Sequence, residues 1–434
     1  MSTLAYRISF AVTVLAGTMF ATAALAQNFP VTDDPGYNPK TDWVPSFAFP
    51  RTPPSASDAK PWAAIDPTKN PGDYANAVLN YFFEGQDTKT WRVQDNPVRK
   101  WYHMPWMHFG PLGREKFHGL TRERNAPPPT LAENGQTQTQ CPQTWSIGFF
   151  NPTAAYQLWK IWNDGSSAPD FSAAATAEGS VVVKLLFSQA DPSQMPYLKG
   201  SPSQKANTTK QTGAPTDCVK LDVMDRTPTT VRLVQVDFAV KDPTHAPKTN
   251  WVFGTFAYRN EAPGADPWKK LVPVGVTWGN DPDLSDDMPP NPRESIVLNK
   301  FGFTRVFGRN GRMNGPLDNV TASCMACHQT AQKPNTAGLA PADNDKWDVA
   351  KCWFRDLSTE AFGNKPSATS CGDTTGFQSL DFSLQLQVGW RNWTNPDAHK
   401  KMTASKTMAT PKGAAVKSMQ PMTIDNKVSL PITR

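Results

Sequence analysis

Val231-Arg-Leu-Val-Gln-Val-Asp-Phe-Ala-Val240 places Val234, Val236, Phe238 and Val240 at every second position. Side chains of an extended chain point alternately to two faces, so this run reads as a strand with one apolar face. β-branched and aromatic residues suit that geometry. Working outward, Ser180-Val-Val-Val-Lys-Leu-Leu-Phe187, Trp251 to Tyr258 and Leu271 to Trp278 read the same way. Phe382-Ser-Leu-Gln-Leu-Gln-Val388 reads as a fifth strand, with its glutamines on the alternate face. Strands in succession without helices between them predict an antiparallel sheet. Two helices are expected before them. Asp73 caps a run from Tyr74 to Glu84 that Gly85 ends, and Asn151-Pro152 opens another that reaches Gly165. The fold class is therefore α+β, a mainly antiparallel β-sheet body with a few helices. The 41 prolines predict long irregular loops around it. Residues 189–229 are polar, carry Cys218, and read as a long insertion.

The ends of the chain differ from this body. Arg7 is the only charged side chain in residues 1–26, Ile8 to Leu25 is apolar, and Ala24-Leu25-Ala26 is an A-x-A cleavage site. Residues 1–26 thus read as a secretory signal peptide, with a periplasmic or secreted product and no transmembrane anchor after cleavage. Residues 27–72, rich in Pro, Asp and Lys, read as an extended arm. Residues 73–400 read as one domain. Residues 401–434 hold Lys401, Lys406, Lys412, Lys417, Lys427 and Arg434 against Asp425 and read as a basic, flexible tail. The formal charge of +6 is carried by this tail and the leader, so the body is neutral. A neutral body excludes a nucleic-acid groove.

Within the body, Cys324-Met325-Ala326-Cys327-His328 follows the strands. It is the C-x-x-C-H attachment signature of c-type haem. Two thiols this far apart reach two vinyl groups of one porphyrin, and the next residue, His328, becomes the proximal iron ligand. A Cys-x-x-Cys pair also suits a redox dithiol or half a zinc site, but no second Cys-x-x-Cys and no His-x-x-x-His completes a zinc set. Export favours one covalent heme c. The other four cysteines, Cys141, Cys218, Cys352 and Cys371, allow three pairings in an oxidising compartment. Cys352–Cys371 closes a short loop and leaves Cys141–Cys218.

Glu178-Gly179-Ser180-Val-Val-Val-Lys184, Val236-Asp-Phe-Ala-Val-Lys-Asp242, Trp251-Val-Phe-Gly-Thr-Phe256 and Cys324-Met-Ala-Cys-His328 occur in an order that resembles the cytochrome P-460 superfamily. The resemblance spans about 170 to 330. It implies a β-sheet domain ending in a C-x-x-C-H haem, in a family whose members oxidise hydroxylamine or bind nitric oxide.

The sixth iron position decides between electron transfer and chemistry on a small molecule. Trp101-Tyr102-His103-Met104-Pro105-Trp106-Met107-His108 and Gly113-Arg114-Glu115-Lys116-Phe117-His118 gather three of the six histidines. Here His108, ahead of His103, is the candidate distal ligand, and Glu115 or His118 the candidate proton-transfer group. The rival is the tail, where Met408 lies in Lys406-Thr-Met-Ala-Thr-Pro-Lys-Gly413. Asp281, Asp283, Asp286 and Asp287 lack the glycine and terminal glutamate of a calcium loop and read as a solvated turn. The expected function is periplasmic electron transfer, with a redox partner protein or a small-molecule electron donor. The alternatives are a haem oxidoreductase with an open distal site and a gas-binding haem protein.

Overall fold

The computed structural model describes residues 29, 34, 37–38, 40–55, 60–87, 92–107, 114–133, 136–165, 167–211, 214, 216, 218, 221–298, 300, 302 and 307–395. The expected leader, the tail with Met408, and His108 lie outside them. The strands are β1 (Thr121–Asn125), β2 (Gln143–Phe150), β3 (Val181–Ser188), β4 (Ser203–Gln211), β5 (Leu221–Lys241), β6 (Trp251–Tyr258), β7 (Leu271–Thr277), β8 (Ser295–Val297), β9 (Gln332–Lys333) and β10 (Gln378–Ser379). The α-helices are α1 (Pro71–Phe83), α2 (Pro152–Trp162), α3 (Cys324–His328), α4 (Trp347–Ala350) and α5 (Leu384–Trp393).

The first eight strands form one sheet in the order β1-β2-β3-β5-β6-β7-β8, with β4 paired to β5 beside this path. Every pairing is antiparallel. The run quoted first is the end of β5, which spans 21 residues. Its first half pairs with β4, and its second half lies between β3 and β6. Pro228 falls in the half with one neighbour only, where a missing N–H costs no ladder bond. The segment 189–229 is thus not merely an insertion. Thr208 and Thr229 bond to each other through their hydroxyls at 2.7 Å, so this polar hairpin is held by side-chain hydrogen bonds as well as its ladder.

One face of the sheet is closed by an apolar core. Val181, Val183 and Leu185 of β3, Val236, Phe238 and Val240 of β5, and Val252 and Phe256 of β6 pack there with Tyr74, Val78, Tyr81 and Phe82 of α1. Phe238 lies opposite Gly254 in register, and a Cβ at Gly254 would meet the Phe238 ring at 2.2 Å. Glycine is required for that close approach. The arm joins the same core through Trp43 and Trp62. α1 opens on Pro71 with Asn70 at the cap position; Asp73 lies in its first turn instead. α2 begins as expected, with the Asn151 side chain accepting from Ala154 N–H at 3.0 Å.

The opposite face of the sheet is covered by α2, α3, α5 and the segment Tyr102–Trp106. The expected strand 382–388 is a correction. Leu384–Trp393 is helix α5, capped by Ser383, whose hydroxyl accepts from Leu386 N–H at 3.2 Å. Leucine and glutamine are good helix formers, and a short alternating run does not distinguish the two states. Strand β2 was not expected, although Trp145, Ile147 and Phe149 alternate with Thr144, Ser146 and Gly148 and put their side chains into the apolar core. Both disulfides are present, Cys141–Cys218 with Cα atoms 5.3 Å apart and Cys352–Cys371 at 5.0 Å. Such bridges are compatible with an oxidising compartment. Among the described residues no helix is long and apolar enough to cross a membrane.

Candidate functional site

Cys324 to His328 forms the single turn α3, and Ser323 starts it by accepting from Ala326 N–H at 3.1 Å. Positions three apart on a helix share a face, so Cys324 and Cys327 present their sulfurs on one side. Both are free thiols, whereas the other four cysteines are bridged. Met325, on the other side of the turn, packs against Ala239, Trp251, Phe253 and Phe382. That contact fixes α3 to the sheet through β5 and β6.

His328 is oriented from behind. Its Nδ1 lies 2.9 Å from the Phe382 carbonyl oxygen. A carbonyl only accepts, so Nδ1 carries the hydrogen and Nε2 is left with its lone pair. This is the arrangement in which histidine binds a metal, with the outer partner fixing tautomer and ring angle. The Phe253 ring lies 4.8 Å from the imidazole centroid to centroid. Burial pushes the imidazole down to about 4, against the Phe382 bond, so it is neutral and ligand-competent at neutral pH.

The carbonyl is presented by an unusual turn. Asp381 and Phe382 have φ values of 48° and 63°, the left-handed region that side chains disfavour by about 1–2 kcal/mol per residue. Asp381 is held from three directions. Its carboxylate accepts from Lys241 Nζ at 2.6 Å, Trp251 Nε1 at 2.9 Å and Thr176 N–H at 2.7 Å.

Next to the cysteines, the sheet is polar. Lys184, Asp237 and Thr255 are register partners across β3, β5 and β6 and share a face. Asp237 accepts from Gln235 Nε2 at 2.7 Å and from Thr255 Oγ1 at 2.9 Å. The same Gln235 amide donates to Asp318 at 3.1 Å, and Asp318 Oδ2 lies 4.0 Å from Cys324 Sγ. Gly315 permits this crowding, since a Cβ there would meet Gln235 at 2.2 Å and Asp318 at 2.4 Å. Lys184 pairs with Glu123 at 2.8 Å. Burial, and then Asp318, pushes the Asp237 carboxyl up to about 7, with Lys184 pulling the other way. Cys324, Cys327, His328, Lys184 and Asp237 are half-buried, so each keeps some accessible surface.

The surroundings of the thiols oppose the thiolate form that an exchanging dithiol uses. Burial, with Asp318 next, pushes Cys327 up to about 12 and Cys324 well above the usual thiol range. A nucleophilic or exchanging cysteine needs the opposite shift. Among the described residues no three or more His, Cys, Asp or Glu side chains gather as a metal cage. A porphyrin supplies four nitrogen ligands itself, so an iron site here asks the chain only for axial ligands.

The other expected site residues lie elsewhere. His103 is fully buried, with Nδ1 3.2 Å from the Gly148 carbonyl and its ring between Trp43 and Phe149. Trp43 and Phe149 belong to the core on the sheet face away from α3, so the structure does not bring His103 to the motif. Glu115 is structural. Its carboxylate accepts from the N–H groups of Phe117, His118, Leu120 and Asn207. His118 bonds through Nε2 to the Lys205 carbonyl at 3.0 Å and lines an open groove with Thr41, Asp42 and Phe117. In the acidic run, Asp281 accepts from Glu294 N–H at 3.0 Å and Asp286 pairs with Arg309 at 2.9 Å, so these two hold turns. Lys184, Gln235 and Asp237 went unnoticed because their strand positions mark them only as the face opposite the core. Asp318 gave no signal in the sequence, and Phe382 read only as the start of the expected fifth strand. No family model, curated protein or solved structure matches this chain.

Proposed function

We propose that the chain carries one covalent c-type haem on Cys324, Cys327 and His328 and serves as an electron-transfer protein outside the cytoplasm. The observation that carries this reading is His328. Its Nδ1–H is committed to the Phe382 carbonyl, which leaves Nε2 free on the same short turn as two half-buried free thiols. Cys324 and Cys327 would each hold the group by a thioether, formed by addition of the S–H across a vinyl group. That addition needs reduced cysteines, and the two in the motif are the two left out of disulfides. The bound group supplies a one-electron couple at iron. The chain's residues hold the imidazole neutral, fix its angle and surround the attachment edge.

A second reading, a haem oxidoreductase acting on a small oxidisable molecule, draws on the Asp237–Gln235–Asp318 bridge. A carboxyl that changes protonation near neutral pH beside a haem suits proton transfer. A partner is a redox protein or a small electron donor in either case. Intact mass after expression with the haem-attachment machinery should exceed the polypeptide by one haem, and a polypeptide mass alone overturns both readings. The reduced spectrum then separates them. A low-spin spectrum indifferent to carbon monoxide supports the carrier, and a shift on adding the gas supports the open site.

A further inference from the structure

Lys241 and Trp251 face each other across the ends of β5 and β6, and both donate to one oxygen of Asp381. The ion pair is buried, with side chains 9% and 7% exposed. Its ammonium also lies 5.1 Å from the Trp251 ring centre. Thr176 takes the other carboxylate oxygen. Asp381 therefore has no freedom at its side chain, and its backbone and that of Phe382 are held left-handed. Without this anchor the turn would relax, because the bulky Phe382 is disfavoured at a positive φ and aspartate only tolerates one. Its product is the direction of one carbonyl, that of Phe382, which receives the His328 Nδ1–H. The sheet thus reaches the imidazole through a carboxylate and a strained turn.

We infer that Asp381 is a positioning residue for the iron ligand, acting through the Phe382 carbonyl to set the tautomer, angle and donor strength of His328. The inference rests on the covalent-haem reading and adds the residue that tunes it. A hydrogen bond at Nδ1 makes the imidazole a stronger donor to ferric iron, so its loss favours the ferrous state. Lys241 and Trp251 belong to the same device, since they hold Asp381.

The test uses full-length Asp381→Asn and Trp251→Phe, each expressed with the haem-attachment machinery. Asp381→Asn should keep the added haem mass but raise the midpoint potential and move the ferric Soret band. Trp251→Phe, which removes one donor to the same carboxylate, should shift both in the same direction by less. Glu133→Gln breaks the Arg259–Glu133 pair beyond the other end of β6 and serves as a control. It should lower the melting temperature and leave the potential unchanged. In haem-free protein, nitrogen NMR of the His328 ring should show Nδ1–H in the wild type and lose that preference in Asp381→Asn. Lower melting with unchanged potential and tautomer would make Asp381 a structural residue and overturn the inference. If Asp381→Asn does not fold, Trp251→Phe decides by the same readouts. A wild type without haem overturns the covalent-haem reading, and the tautomer measurement still decides the positioning role.

Discussion

The two faces of the main sheet are built from neighbouring positions of the same strands, yet they do different work. On one face, Val183, Phe238 and Phe256 meet α1 in a closed apolar core. On the other, Lys184, Asp237 and Thr255 look onto the α3 turn, with Val182, Ala239 and Phe253 packed beside it. Alternation along a strand separates the two sets by one residue. The closed face holds the sheet together. The other face accepts half-buried charges, which cost stability, and places them at the cysteine motif. A charged group is tolerable there because each has a partner: Lys184 with Glu123, and Asp237 with Gln235 and Thr255.

The largest expected effect is on the face with the motif. A Cys324→Ala, Cys327→Ala double variant should lose the haem altogether, read by intact mass, while its urea transition remains cooperative. Persistent covalent haem in that variant would break the assignment of the two faces. On the closed face, Phe238→Ala should cost about 3–5 kcal/mol, seen as a lower urea midpoint at unchanged slope. It should leave the haem spectrum alone. Phe253→Ala should cost less, because it packs in a smaller apolar cluster, and should move the spectrum, because that ring lies 4.8 Å from His328. If the two variants swap these signatures, the division between faces is wrong.

The bridges give effects of comparable size. Opening Cys141–Cys218, with 77 residues of separation, should cost roughly 4–5 kcal/mol in the chain-entropy account. Opening Cys352–Cys371, with 19, should cost about 3 kcal/mol. Denaturation of the paired alanine variants measures both.

The smallest effect is a pH slope. Asp237 keeps its proton up to about pH 7 in the folded protein, whereas an unburied aspartate releases it near 3.8. The folded state therefore binds more protons between those values, and stability from this group falls as pH rises through the window. Urea midpoints for wild type and Asp237→Asn across pH 4 to 8 should converge at the acid end and separate as pH rises. Parallel curves would show that Asp237 is ionised throughout.

Strands β3, β6 and β7, and the apolar half of β5, were legible because only an extended chain turns a period of two, kept over seven or eight residues, into one continuous face. Strand β2 carries the same signal in Trp145, Ile147 and Phe149 and was overlooked, whereas α5 was hidden by a pattern that suits either state. The pairing of the short disulfide loop was legible, and so was the set of two cysteines left out of bridges. His103 was drawn toward the motif by ligand chemistry, and His118 by its capacity for proton transfer. Packing took His103 into the core between Trp43 and Phe149, where its Nδ1 meets the Gly148 carbonyl.

By itself the sequence determined what is local: which two cysteines and histidine share one short motif, which runs alternate, and which cysteines lie close enough to close a short loop. Each of these depends on separations of a few residues, where chain geometry leaves little choice. Only the tertiary structure decided that Phe382 offers its carbonyl to His328, that Asp318 stands beside Cys324, and that Lys241 and Trp251 grip Asp381. These contacts join residues 54 to 140 positions apart, apart from Asp318 and Cys324, which are 6 apart. Burial makes them, because a polar group removed from water must find a partner wherever the fold has brought one.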